Sequence, residues 1–161
     1  MDDAAFDELY ARQATRALRL ALLLVGDRDR AEDLVADAFA RVLPHWRRGT
    51  VLDFGPYLRT AVVNGFRARI RRDTRERDFA APVGDPVIDL GDLIADRALL
   101  AAALRQLPDR QRCAIVLRYY EDLPEREVAE LLDCPLGTAK ASIWRGLARL
   151  RTLLQEDSTH A

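Results

Sequence analysis

At 161 residues, the chain has room for one domain or two small ones, and an apolar share of 49% beside 32% charged residues excludes a wholly disordered chain. No apolar run approaches the roughly 20 residues of a membrane span. The opening Met1-Asp2-Asp3 lacks the basic start of a signal peptide, and two cysteines cannot frame a disulfide scaffold, so a soluble cytoplasmic protein is expected. The net charge of −1 hides a segregation. The 25 basic residues are arginines apart from Lys140. Residues 57–77 carry seven arginines against Asp73 and Glu76, and residues 137–153 carry Lys140, Arg145, Arg149 and Arg151 with no acid. Acidic stretches at 78–109 and 119–135 lie between them. Two anionic partners on one chain would need such a layout, although charged helix faces also arise from solvation alone.

In chain order, Phe6, Leu9, Tyr10, Ala17, Leu20, Ala21 and Leu24 form a 3.6-residue stripe and predict a first helix that stops near Gly26. Asp27-Arg28-Asp29 offers capping chemistry for a second helix. Its apolar stripe is Ala31, Leu34, Val35, Ala38, Phe39 and Val42; Asp33, Asp37 and Arg41 recur every four residues on the other side. Pro44 should end this helix or lie just past its end, which leaves residues 45–55 as a loop. Pro56 suits the first turn of a third helix, in which Leu58, Val62, Phe66 and Ile70 face a core while Thr60, Asn64, Arg67 and Arg71 share another face. No stretch alternates as a strand would.

Helical periodicity fails from about residue 75 to 91, where Pro82, Gly84, Pro86 and Gly91 stand among aspartates. An all-α protein of two helical domains is therefore expected, 1–75 and 95–156, joined by a flexible linker over 76–94. After the break at Leu107-Pro108-Asp109, Cys113 to Leu117, Tyr119 and Tyr120 cannot share one face, so that helix should be buried on much of its surface, with Arg118 reaching solvent or an acid. A short helix fits 125–132, a tight connection follows at 133–137, and a longer helix fits 138–154, with the stripe Ala139, Ile143, Leu147, Leu150 and Leu154. Thr138, Ser142, Arg145 and Arg149 share another face, flanked by Lys140, Trp144 and Arg151. Short helix, turn, longer helix with a basic face is a helix-turn-helix pattern, whose second helix can enter the major groove; an ordinary helical hairpin with solvated arginines has the same pattern.

Three sets of residues carry a family resemblance. Leu107-Pro108 through Arg118, the run 121–132 (Glu-Asp-Leu-Pro-Glu-Arg-Glu-Val-Ala-Glu-Leu-Leu) and Cys134-Pro135-Leu136-Gly137-Thr138-Ala139-Lys140 resemble region 4 of the bacterial extracytoplasmic-function (ECF) RNA polymerase sigma factors, group IV of the main sigma family. Residues 27–43, with Ala31-Glu32-Asp33-Leu34-Val35, resemble region 2.2; Tyr57-Leu58-Arg59-Thr60 to Asn64, then Arg71-Arg72, resemble regions 2.3 and 2.4.

The resemblance implies that the chain binds core RNA polymerase, through the beta-prime clamp and the beta flap, and directs promoter-specific initiation. It places Asp33, Asp37 and Arg41 on the clamp-binding helix, and Trp46, Asn64, Arg67 and Arg71 by the minus-ten element, with the 45–55 loop as the base-capturing loop. It places Thr138, Lys140, Ser142, Arg145 and Arg149 on the helix that reads the minus-thirty-five element. It also brings in an inhibitory anti-sigma factor. The family often has glutamine at Ala36 and tryptophan at Tyr57, and usually valine, serine and arginine at Ala139, Ala141 and Ser142. With serine at 142, Trp144 or Arg145 is left to compensate, or the promoter sequence differs.

Trp46 fits two roles equally, stacking on an unpaired base or capping the core of the first domain. Asp33 and Asp37 could be a carboxylate pair, but without a neighbouring base they read as a solvated face, and no enzyme activity is expected. Cys113, Cys134, His45 and His160 lack zinc spacing, so neither metal nor cofactor is expected. The alternatives are a helix-turn-helix regulator that binds operator DNA without polymerase, and an all-helical adaptor that binds protein only.

Overall fold

The computed structural model describes residues 3–75 and 95–159, and every regular element among them is helical. Helix α1 spans Asp3–Val25. It ends where Gly26 takes φ of +72°, a left-handed conformation that favours glycine, with the Arg105 side chain packed close beside it. Asp27 then caps α2, Arg28–Arg47, its Oδ1 accepting from the Arg30 N–H at 2.9 Å. All six residues of the α2 stripe are buried, and each large one contributes about 1.5–3 kcal/mol. Helix α3 spans Phe54–Arg75, with Pro56 in its first turn, where its missing N–H has no partner to lose. A Cβ on Gly65 would sit 2.8 Å from Leu34, so α2 and α3 approach closely there.

The structure corrects the expected end of α2. Pro44 lies inside the helix, which continues to Arg47, so the loop is shorter than 45–55. Proline removes one N–H from the helix ladder, and tertiary packing offsets that loss. Trp46 stands edge-on against Phe54 with centroids 5.4 Å apart, and Thr50 donates through both N–H and hydroxyl to the His45 carbonyl.

The second group begins with α4, Ala95–Arg105, and α5, Asp109–Ile115, which runs into a π-helical turn, Val116–Tyr120. The turn closes through Glu121 N–H to Val116 O at 3.1 Å. The buried run therefore stops at Leu117, and Tyr119 and Tyr120 swing outward. Arg118 meets Asp122 at 3.8 Å, as its position in the apolar run suggested. Helix α6, Glu125–Leu131, and α7, Leu136–Thr159, complete the helix-turn-helix, with Asp133 in the left-handed conformation between them. A Cβ on Gly146 would meet Ile115 at 2.8 Å, which brings α7 tightly onto α5.

The two groups of helices touch. Arg112, 8% exposed, donates from Nε to Leu24 O at 2.8 Å and lies over the Phe66 ring. The buried carboxylate of Glu121 accepts from Arg16 at 3.2 Å and Arg59 at 3.4 Å. The expected linker, 76–94, lies outside the described residues. No helix among those described is long and apolar enough to cross a membrane.

Candidate polymerase and nucleic-acid interfaces

The first face is the solvent side of α2. Asp33, Asp37 and Arg41 are all exposed along it, because the six-residue stripe opposite them takes the whole packing surface. Asp37 accepts from Arg69 Nη2 at 3.0 Å, and Arg69 Nη1 reaches the Arg30 carbonyl at 3.0 Å, so α3 holds this carboxylate in place.

The second face, on α3, is less uniform than its spacing suggests. Asn64, Arg71 and Arg72 are exposed. Arg67 is half-buried and donates to Leu131 O on α6 at 3.4 Å, and Arg69 turns to α2. The arginine row thus splits three ways, and in this arrangement Arg67 is a contact between helix groups. Trp46 is half-buried, its indole packed edge-on against Phe54 with Nε1 buried. The α2–α3 loop exposes Leu52, a large apolar side chain, beside Arg48, Thr50 and Asp53.

The third face is on α7. Lys140, Trp144, Arg145, Ala148, Arg149 and Arg151 are exposed; Lys140 lies 3.8 Å from Glu125. Thr138 is half-buried in the first turn of the helix. Ser142 departs from expectation: it is 8% exposed and cannot share a surface with Arg145 and Arg149. Ser142 lies one turn from both Ala139 and Gly146, on the line of small residues where α7 closes against α5.

Two features of the site region had no signal in the sequence. Arg112 and Glu121 are charged residues in a charged chain, and only the fold shows them buried between the helix groups. Cys113 is buried beside Arg112; burial pushes its thiol up to about 12, against the opposing pull of Arg112 and Arg67. Burial also raises the Tyr120 phenol. Among the described residues, no three His, Cys, Asp or Glu side chains converge to hold a metal ion.

Comparison with known proteins gives matches over both helix groups. The family model described as Sigma-70 region 2 matches residues 9–76, and that described as Sigma-70, region 4 matches residues 97–150. The chain is 34% identical to the RNA polymerase sigma-E factor of Streptomyces coelicolor over 153 residues, 91% of this chain and 84% of that protein. It is 27% identical to the ECF RNA polymerase sigma factor SigW of Bacillus subtilis, over 96% of this chain and 88% of that one. Among solved structures, the sigma factor RpoE in complex with the anti-sigma factor NepR from Bartonella quintana aligns with a TM-score of 0.69 at 24% identity, over 94% of this chain and 97% of that one. That last likeness is one of fold.

Proposed function

The chain belongs to the sigma-70 family of RNA polymerase sigma factors, in its ECF group, and from that premise we propose how its faces divide the work of promoter-specific initiation. The α2 face, through Asp33, Asp37 and Arg41, binds the beta-prime clamp of core polymerase. Asn64 and Arg71, with Arg67 once it leaves Leu131, meet the minus-ten element. Lys140, Arg145 and Arg149 on α7 meet the minus-thirty-five element. The observation that carries this reading is α7 itself: the second helix of a helix-turn-helix, with exposed cations and no acid over residues 137–153. The protein acts by binding, without catalysis of its own, in the cytoplasm with the polymerase. RpoE of B. quintana is in complex with an anti-sigma factor, and a protein inhibitor is proposed for this chain as well.

The reading has a geometric consequence. Two elements about 25 base pairs apart are separated by about 85 Å along duplex DNA. A compact chain of this length has a radius of gyration of about 15 Å. One compact particle cannot touch both, so Arg112–Leu24 and the Glu121 ion pairs must break in the polymerase complex. Residues 76–94 can reach on the order of 60 Å when extended.

Run-off transcription with core polymerase on genomic fragments tests the reading. Discrete products that depend on this chain are expected. Tight binding to duplex DNA without core, and no initiation with it, would instead make the protein an operator-binding regulator; binding to neither DNA nor core would make it an adaptor.

A further inference from the structure

A cleft of about 200 Å³ lies where the two helix groups meet. Phe66 and Ile70 of α3 line it from one group, and Cys113 of α5 and Leu132 at the end of α6 from the other. Three arginines stand around this apolar lining: Arg67 and Arg71 from α3, and Arg110 from α5. Arg71 and Arg110 are exposed, and neither pairs with an acid among the described residues. Arg67 donates to the Leu131 carbonyl at 3.4 Å, a long bond. The one acid of the lining, Asp109, is already engaged: its Oδ1 accepts from Arg112 at 2.6 Å.

An apolar lining with cations at its edge selects an occupant that has an apolar body and one anionic end. A dry cavity of about 150 Å³ takes a benzene ring, so this cleft has room for one ring with a carboxylate attached. Guanidinium groups match a carboxylate in both charge and hydrogen-bond geometry. Such an occupant would touch α3 on one side and α5 and α6 on the other, and its site exists only while the two helix groups meet. Promoter DNA is excluded as the occupant, because a chain that reads both elements has its halves apart. We propose that this cleft is a regulatory site for a small carboxylic acid with a single ring as its apolar body, which holds the halves together and slows assembly with core polymerase. A ligand that binds one state alone shifts the population toward that state. The inference rests on the reading that the halves separate on the polymerase. It also ties up Arg67 and Arg71, two of the residues proposed for the minus-ten element.

The experiment uses the full chain with benzoate as the probe, at constant ionic strength. Acetate supplies the charge without the ring, and benzyl alcohol the ring without the charge. Benzoate should raise the thermal midpoint of the chain in a saturable way, and the two controls should not. At ten times its dissociation constant, benzoate should slow holoenzyme formation with core polymerase about 10-fold, because only the ligand-free chain opens. Arg110→Ala removes a cation that lies outside the faces proposed for polymerase and promoter. Without benzoate this variant should keep the wild-type circular dichroism and assemble at the wild-type rate; it should bind benzoate about 10-fold more weakly. No saturable response of the wild type to benzoate overturns the inference, as does an equal response to acetate or benzyl alcohol. Wild-type affinity for benzoate in Arg110→Ala overturns it by placing the ligand elsewhere. Binding that leaves assembly unchanged overturns it too, since the ligand then does not bridge the halves. In all these cases run-off products made without benzoate still stand, so the sigma-factor reading survives. If the ligand-free chain forms no holoenzyme and directs no initiation, that reading has failed.

Discussion

Arg112 Nε lies 2.8 Å from the carbonyl oxygen of Leu24, and this one bond joins the end of α1 to the start of the helix-turn-helix half. Leu24 belongs to the last turn of α1, whose carbonyls have no partners within the helix. Arg112 also donates to Leu107 O at 3.2 Å and Asp109 Oδ1 at 2.6 Å, so it holds the α4–α5 turn as well. Arg112→Met keeps much of the bulk and removes every donor. It should lower stability by about 3 kcal/mol, since hydrogen bonds to a charged group disappear and buried carbonyls are left unpaired. Urea unfolding measures this; a drop below about 0.5 kcal/mol would mean that the bonds do not form in solution.

Glu121 gives the contact between helix groups its charge complementarity. Glu121→Arg would face Arg16 and Arg59 with a third cation in a buried position. The two halves should separate, and the radius of gyration from small-angle scattering should rise clearly above the roughly 15 Å of a compact chain. Unchanged scattering with retained helicity would contradict the contact.

On α2, Asp33→Arg with Asp37→Arg reverses the charge of the face proposed for the clamp. The pair Asp37–Arg69 is exposed on the aspartate side and stabilises by about 0–1 kcal/mol, so the fold should survive. Core polymerase should no longer be retained in a pull-down. Retention at the wild-type level would remove these residues from the clamp interface.

The two DNA faces should fail separately. Arg145→Ala with Arg149→Ala should weaken promoter binding by about 1–3 kcal/mol for each arginine that bonds a base edge. That weakening should disappear on promoters whose upstream element is scrambled. Asn64→Ala with Arg71→Ala should impair strand opening, read by permanganate footprinting, and leave upstream recognition intact. Equal impairment of both properties in both variants would contradict the division of labour.

Much of this architecture was legible because it is local. The period of α2 gave its six core residues, and Gly26 followed by Asp27 gave the boundary before it. What the sequence hid depends on partners far along the chain. Arg112 and Leu24 are 88 positions apart. Pro44 reads as a helix end, yet the helix runs on to Arg47 and seats Trp46 on Phe54, a ring that comes from the next helix. Ser142 reads as polar surface, but the fold buries it to 8% exposure. The charged faces of α2 and α7 were visible, but the redirection of Arg67 and Arg69 to neighbouring helices was not, because it needs α6 and α2 in place.

Stability should fall in alkali for a reason located at Cys113. Burial moves its thiol from an ordinary value of 9.0 up to about 12. Below pH 9 the thiol is protonated in both folded and unfolded chains, and its burial costs no proton. Between pH 9 and about 12 the unfolded chain loses the proton while the folded one keeps it. Stability should then drop by about 1.4 kcal/mol for each pH unit. The raised phenol of Tyr120 acts in the same direction above pH 10.0. Cys113→Ala removes the thiol contribution, so its urea midpoint should fall less steeply than the wild type between pH 9 and 11, although its midpoint at pH 7 is lower because the core is less well filled. In the folded wild type, Cys134, which is partly exposed, should react with a thiol reagent at pH 8 well before Cys113. Parallel pH slopes for the two proteins, with both thiols reacting at one rate, would show that Cys113 is open to water.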